Sequence, residues 1–215
     1  MRKLFSLILL IILVSCNTTR KIEGNWIGAY SYSESPESSF NSPIRVIISF
    51  SDGKYKLNSF KYDYRLGGNT KHGSFKLSDR KIIFDDDEKE NSQIKFINND
   101  SLVISGHNGS NNSVYKKLDD SLKIGLNDIE LIGRKFLLKS RDYTDTLKFV
   151  NDSILISGSD KDRFPRTKWD RIHQNEFDII YMEGNIPMII QGKSHDTIYA
   201  IGFHKSAIDF KLIEL

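Results

Sequence analysis

The stretch IRVIISFSDGKYKL, residues 44–57, predicts a β-hairpin and sets the fold class of the chain. Apolar residues alternate in it with more polar neighbours, which is typical of a strand with one buried face. An Asp-Gly pair between two such runs favours a tight turn, because both of its central positions need a positive φ. The pair is Asp52-Gly53, and the alternating positions are Ile44, Val46, Ile48 and Phe50 before it and Tyr55 and Leu57 after it.

The rest of the chain from residue 22 onward shows a similar pattern of apolar and turn residues. Short apolar runs are interrupted about every eight to twelve residues by turn residues, which favours a sandwich or barrel over alternating strands and helices. Further strands are predicted at 24–30, 74–77, 81–84, 94–97, 102–104 and 114–118, and then at 136–139, 146–150, 154–156, 168–172, 177–181, 186–190, 197–203 and 208–213.

Each half of the chain thus contains about eight predicted strands. A closed barrel of about eight antiparallel strands is wide enough to be filled by side chains or to hold one small ligand. The predicted fold class is therefore all-β, with antiparallel up-and-down barrels, two in tandem. The predicted domains are residues 22–118 and 129–215, joined by a polar linker at 119–128.

The two halves share one similar stretch. IKFINNDSLVISG (94–106) can be laid on LKFVNDSILISG (147–158) with one residue skipped. The match indicates either a repeated unit or only that two β-hairpins with Asn/Asp turns resemble each other.

The N-terminal stretch MRKLFSLILLIILVSC, residues 1–16, predicts a signal sequence. Arg2 and Lys3 precede an apolar run at residues 4–14, which is interrupted only by Ser6. A run of about a dozen residues is shorter than the roughly 20 needed to cross a hydrocarbon core of ~30 Å. It is therefore interpreted as the apolar region of a signal peptide.

The end of this stretch, Leu13-Val14-Ser15-Cys16, resembles the lipobox of bacterial lipoproteins, and Cys16 is the one cysteine of the chain. The resemblance implies that residues 1–15 are removed and that the Cys16 thiol takes a diacylglycerol. Several acyl chains, palmitate among them, would then anchor the protein to a membrane. Residues 16–21 form the lipidated cysteine and a polar tether without the acidic cluster that resembles a surface-export signal. The expected location is the cell envelope, at the outer membrane facing the periplasm.

Composition argues against a nucleic-acid partner. Removal of the signal would take Arg2 and Lys3 from the 31 Lys and Arg residues, leaving 29 against 28 Asp and Glu. A nucleic-acid-binding domain normally keeps a basic surface, and no cluster of basic residues is present in the sequence. Lipidation of Cys16 would also leave no thiol for a disulfide, so the core alone must stabilise the fold.

No pattern in the sequence predicts catalysis, a metal site or a cofactor. Ser194, His195 and Asp196 are adjacent, and neighbouring residues of a strand point to opposite faces, so they are not interpreted as a triad. Trp26 and Trp169 are interpreted as core residues. The histidines lack the spacing of metal ligands and are expected at the surface; they are His72, His107, His173, His195 and His204.

Gly24-Asn25-Trp26, at the start of the first predicted strand, resembles the Gly-x-Trp of small bacterial lipocalin-like domains. The resemblance implies that Trp26 plugs one end of a barrel whose other end takes a hydrophobic small molecule. Gly133-Arg134-Lys135-Phe136, the corresponding place in the second half, has no tryptophan. The expected function is a non-enzymatic, membrane-anchored lipoprotein that binds a small apolar or amphipathic ligand, with ligand-binding residues unassigned. The alternative is a protein-interaction module, such as an envelope assembly factor or an immunity-like inhibitor.

Overall fold

The computed structural model describes residues 21–33, 42–62, 70–78, 81–85, 92–106, 111–125, 127–158 and 167–215. Over these ranges the chain is nearly all β, and its strands form two closed antiparallel barrels of eight strands each. The predicted fold class is confirmed. The signal at residues 1–15 and the lipidation site Cys16 lie outside the described residues. No helix within the described ranges is long and apolar enough to cross a bilayer.

The first barrel runs up and down and closes where β1 pairs with β9. The two-residue β2 pairs with β1 on the same side as β3, so β2 and β3 act as one strand that bends at Ile44. Gly28 allows this bend, because a Cβ there would lie 2.7 Å from the Ile44 carbonyl oxygen. The strands are β1 (Gly24–Tyr32), β2 (Ser42–Pro43), β3 (Val46–Ser51), β4 (Lys54–Ser59), β5 (Thr70–Ser78), β6 (Lys81–Phe84), β7 (Ser92–Asn98), β8 (Ser101–Ser105) and β9 (Asn112–Lys117).

A short 3-10 helix, Asp120–Leu122, precedes the second barrel, in which β17 returns to pair with β10. The predicted run at 186–190 is shifted, because Pro187 has no N–H to donate and the strand begins only after it. The strands are β10 (Lys135–Lys139), β11 (Thr144–Phe149), β12 (Ile154–Ser157), β13 (Thr167–Gln174), β14 (Phe177–Met182), β15 (Met188–Ser194), β16 (Thr197–Phe203) and β17 (Ala207–Glu214).

The two similar stretches form hairpins, β7–β8 and β11–β12, at different positions in their barrels. In the first turn the Asn98 side chain accepts a hydrogen bond from the Asp100 N–H, and in the second the Asn151 side chain accepts from the Ser153 N–H. Shared Asn-turn chemistry therefore accounts for the match, and the strand order does not support a duplicated barrel.

The hairpin at residues 44–57 forms as predicted, with β3 and β4 joined by Asp52-Gly53. Asp52 has φ 50° and Gly53 has φ 71°, the two left-handed positions that a tight hairpin turn requires. Asp is among the few non-glycine residues that tolerate this region.

We expect Gly53→Ala to destabilise the first barrel by about 1–2 kcal/mol, because a Cβ disfavours the left-handed conformation. The measurement is the midpoint of urea unfolding. Gly106→Ala is the matched control, since Gly106 lies at a strand end with open space around its Cα and no positive φ. Equal stability of the two variants would contradict the turn assignment.

Candidate functional site

Large side chains fill the interior of both barrels. Trp26 is fully buried, donates its indole N–H to the Ile22 carbonyl at 2.7 Å and meets Phe96 edge to face. Trp169 is 3% exposed, donates to the Asn151 carbonyl at 2.8 Å and packs edge to face on Phe149. The core interpretation of both tryptophans is confirmed. The described interior of each barrel thus contains large side chains that pack against one another.

A third apolar layer joins the outer faces of the two barrels. We call this layer the seam. Its residues are buried between β1 and β3 on one side and β14 and β15 on the other. They are Ile27, Ile47, Phe60 and Leu118 from the first barrel and Phe177, Ile179, Tyr181 and Ile189 from the second.

Hydrogen bonds between buried polar groups connect the two barrels beside this layer. Gln174 accepts a hydrogen bond from the Asn58 amide and donates to the Ser49 hydroxyl at 2.6 Å. Arg45, which is 7% exposed, donates from Nε to the Met182 carbonyl oxygen at 2.8 Å. Each of these bonds has one partner in each barrel, so the barrels fit together in one register.

Tyr181 differs from these hydrogen-bonded polar groups of the seam. Its hydroxyl is buried and has no hydrogen-bond partner among the described residues. Burial, with the nearby charge of Asp170, raises the pKa of Tyr181 well above its usual value. The phenol therefore stays neutral.

A pocket of about 510 Å³, which we call the seam pocket, opens beside Lys61, the neighbour in sequence of the seam residue Phe60. Lys61, which follows β4, forms its first-barrel side, and the segment at 129–132, the β11–β12 turn and β13 form the other sides. The wall is apolar at Ile129, Leu131 and Trp169, all buried, and Ile132 at the rim is 55% exposed. The pocket is thus an apolar cleft with one open apolar edge.

The pocket lies beside β13, next to the turn that joins β11 and β12. The described residues of β12 and β13 pair at Ile154–Lys168 and Leu155–Thr167, and the Trp169 N–H also donates to the Ser153 carbonyl at 3.2 Å. The segment at 129–132 lies next to this part of β13, and Arg171 holds it there by donating to the Ile129 carbonyl at 2.6 Å.

Arg171 is fully engaged in holding the back of the pocket. Its guanidinium binds both carboxylate oxygens of Asp178, at 2.8 and 2.5 Å, and also donates to the Asn127 side chain at 2.9 Å. Asp178 is 0% exposed. The pair is therefore a structural clamp, and its charges cancel within the wall.

Lys61 and Asp170 form a looser pair at the pocket mouth. Their charged atoms are 3.5 Å apart, and the Lys61 ammonium lies 5.1 Å from the centre of the Tyr62 ring. Partial burial by itself disfavours the ammonium form, but the charge of Asp170 and the contact with Tyr62 outweigh it and raise the pKa of Lys61. Lys61 therefore carries its charge at neutral pH.

The remaining charges of the lining are two exposed carboxylates, Glu130 and Asp152. Glu130 forms a salt bridge with Arg134 at 3.1 Å. Asp152 forms no salt bridge within the described part of the chain, and its backbone carbonyl accepts a hydrogen bond from Lys61 at 3.4 Å. Among the described residues, Asp152 is therefore the lining carboxylate that has no cationic partner side chain.

The residues weighed in the sequence as catalytic or metal-binding candidates do not converge on this pocket. Ser194 Oγ lies 3.1 Å from His195 Nδ1 in an exposed turn, but Asp196 accepts from Thr197 and not from the imidazole. His72, His173 and His195 are exposed, His204 is partly buried and His107 lies outside the described residues. Within the described ranges, no group of three or more His, Cys, Asp or Glu side chains is placed to hold a metal ion.

Sequence reasoning missed the pocket and the seam. Alternation at residues 44–50 predicted one buried face, yet Ile47 on the other face is fully buried in the seam. Every residue of β14 is buried, including the charged Asp178. The apolar runs Val46–Ile48 and Ile179–Met182 are typical of strands buried on both faces, and they were the available signal.

Comparisons with models of protein families, with curated proteins and with solved structures found no match to this chain.

We expect Arg171→Leu to lower the free energy of unfolding by about 3–5 kcal/mol, because the buried Asp178 carboxylate loses its guanidinium partner and keeps only the Asn127 amide at 2.9 Å and the His173 imidazole at 3.6 Å. Urea unfolding measures the effect. Arg134→Leu is the control, since Arg134 binds Glu214 at the surface, where a salt bridge contributes about 0–1 kcal/mol. The double variant Arg171→Leu/Asp178→Leu should recover much of the loss. A single Arg171 variant as stable as the Arg134 variant would contradict the clamp.

Proposed function

We propose that the protein is a membrane-anchored envelope lipoprotein whose two-barrel body binds a small amphipathic molecule in the seam pocket. The observation that carries the proposal is the pocket itself, about 510 Å³ with an apolar wall and a charged mouth. Small-molecule sites are typically clefts of about 300–1,000 Å³ with mainly apolar walls and a few polar groups. The proposed ligand position is this pocket, whose apolar wall belongs to the core of the second barrel, and not the enclosed interior of either barrel.

The lining supports a particular kind of ligand. An apolar chain or ring would lie against Trp169 and Leu131 and cover the exposed part of Ile132, which removes apolar surface from water. Lys61 is paired with Asp170, whereas Asp152 has no salt bridge to a described residue. The charge balance therefore favours a ligand with a cationic or hydrogen-bond-donating head group.

The membrane anchor is proposed from the sequence. The basic pair Arg2-Lys3, the apolar run at 4–14 and the single cysteine at Cys16 occur in the order that bacterial lipoproteins have. The proposed location is the outer membrane, with the body in the periplasm. The protein has no proposed enzymatic activity.

Ligand binding is tested by calorimetric titration of residues 17–215 with decyltrimethylammonium and with decanoate, each below its micelle concentration. We expect saturable binding with a preference for the cation. Ile132→Ser should weaken binding by about tenfold, because it removes roughly 1–2 kcal/mol of apolar contact. Asp152→Asn should remove the preference for the cation.

Ile97→Ser is the matched control for Ile132→Ser. Ile97 is equally exposed, at 55%, but lies on β7 of the first barrel and does not line the pocket. Equal effects of the two serine variants, or no saturable binding of either probe, would contradict the ligand proposal. The second result would favour the protein-interaction alternative.

The anchor is tested by Cys16→Ser combined with a conventional cleavable signal peptide. We expect the folded body to leave the membrane fraction after a wash at high salt, which removes contacts that depend only on charge. Labelling with radioactive palmitate should mark the unaltered protein and not the variant. Retention of the variant after that wash would contradict anchoring through Cys16.

A further inference from the structure

The outer surface of β10 points away from the first barrel. In the closed order of eight strands, β10 lies four strands from β14, the strand that contributes most to the seam. Its neighbours β11 and β17 flank it. These three strands form a face that we call the far face, and the seam leaves it uncovered.

Lysines occupy the outward positions of the far face. Phe136 and Leu138 of β10 point into the core, so the exposed Lys135 and Lys139 point outward. Lys148 of β11 and Lys211 of β17 are likewise exposed between buried neighbours. None of these four lysines forms a salt bridge with any residue that the structure describes.

The strand register places these lysines in two directly opposed pairs. Lys135 lies opposite Lys148, and Lys139 lies opposite Lys211. Like charges directly opposite each other on neighbouring strands destabilise a sheet. The far face therefore carries repulsion that an anionic partner would relieve.

The acidic side chains of β11 and β17 are directed to other partners or lie outside the stretch that pairs with β10. Asp145 of β11 is 5% exposed and accepts hydrogen bonds from Tyr143 and Ser157. Glu214 of β17 is bound to Arg134 and Lys193. Asp209 is exposed, but it lies beyond the last residue of β17 that pairs with β10. The two lysine pairs remain the dominant charges along β10.

The spacing of the pairs matches an extended chain. Lys135 and Lys139 are four residues apart on one strand, which is about 13 Å at roughly 3.3 Å per residue. Between the pairs lie Leu137 and Ile213, opposite each other and only partly buried. A partner strand that lies along β10 would place its residues i and i+4 over the two lysine pairs and its residue i+2 over Leu137 and Ile213.

From this geometry we propose that the far face binds an extended acidic segment of a partner protein, with Asp or Glu at positions i and i+4 and an apolar residue at i+2. Each carboxylate of the segment binds the two lysines of one pair. Tyr199, 40% exposed beside Lys211, extends the apolar contact at one end. This site is separate from the seam pocket and does not depend on it or on the membrane anchor.

The test uses two fluorescent peptides of the same composition and charge, Glu-Thr-Leu-Thr-Glu and Thr-Glu-Leu-Glu-Thr, each between Gly-Ser flanks. Fluorescence anisotropy with residues 17–215 measures binding at low and moderate salt. We expect the first peptide to bind at least fivefold more tightly, since only its carboxylates reach both lysine pairs. The double variant Lys135→Gln/Lys139→Gln should abolish that difference while remaining folded in a thermal melt, because it removes repulsion.

The matched control is Lys54→Gln/Lys76→Gln on the first barrel, where these exposed lysines lie opposite Ser51 and Ile83. It should bind the first peptide as the unaltered protein does. Equal affinity for both peptides, or an equal loss in the control variant, would overturn the proposal. So would tighter lysine-dependent binding of heparin, an oligonucleotide or anionic phospholipid vesicles, which would assign the face to another class of anionic partner.

Discussion

The structure depends on one constraint: each barrel has an outer face that is too apolar to leave in water. Ile27 and Ile47 on one barrel and Ile179 and Ile189 on the other are each 0% exposed, and full burial of such a side chain contributes about 1.5–3 kcal/mol. The apolar layer favours contact but does not specify a register. The register comes from Gln174 and Arg45, whose polar groups would be buried without partners in any other arrangement, at about 1–3 kcal/mol each.

This docking also explains why the pocket lies where it does. The described pairing of β12 with β13 comprises two residue pairs, and one further bond runs from the Trp169 N–H to the Ser153 carbonyl. The segment at 129–132 is held next to β13 by the bond from Arg171 to the Ile129 carbonyl, and Lys61 of the first barrel reaches the same place through Asp170. The cleft is the space that remains between these three elements.

The sequence predicts the elements well because their signals are local. The Asp52-Gly53 turn, the polar interval before β10 and nearly every strand follow from turn residues and period-two patterns within a few positions. The seam does not follow from them, because burial of a second face depends on another part of the chain. Only the uninterrupted runs of mainly apolar residues at 46–48 and 179–182 indicate it. The pocket is even harder to predict from the sequence, because Lys61, Leu131 and Trp169 come together only when the barrels dock.

The distribution of charge on the surface likewise does not follow from local sequence patterns. The folded part has nearly equal numbers of acids and bases, and an even mixture of the two signs is the natural expectation from such a sum. The register of β10 instead brings Lys135 opposite Lys148 and Lys139 opposite Lys211, residues separated by up to 72 positions in the chain. The nearby carboxylates of Asp145 and Glu214 are directed to other partners. A nearly neutral protein can therefore present a basic face, because strand pairing decides which charges become neighbours and composition does not.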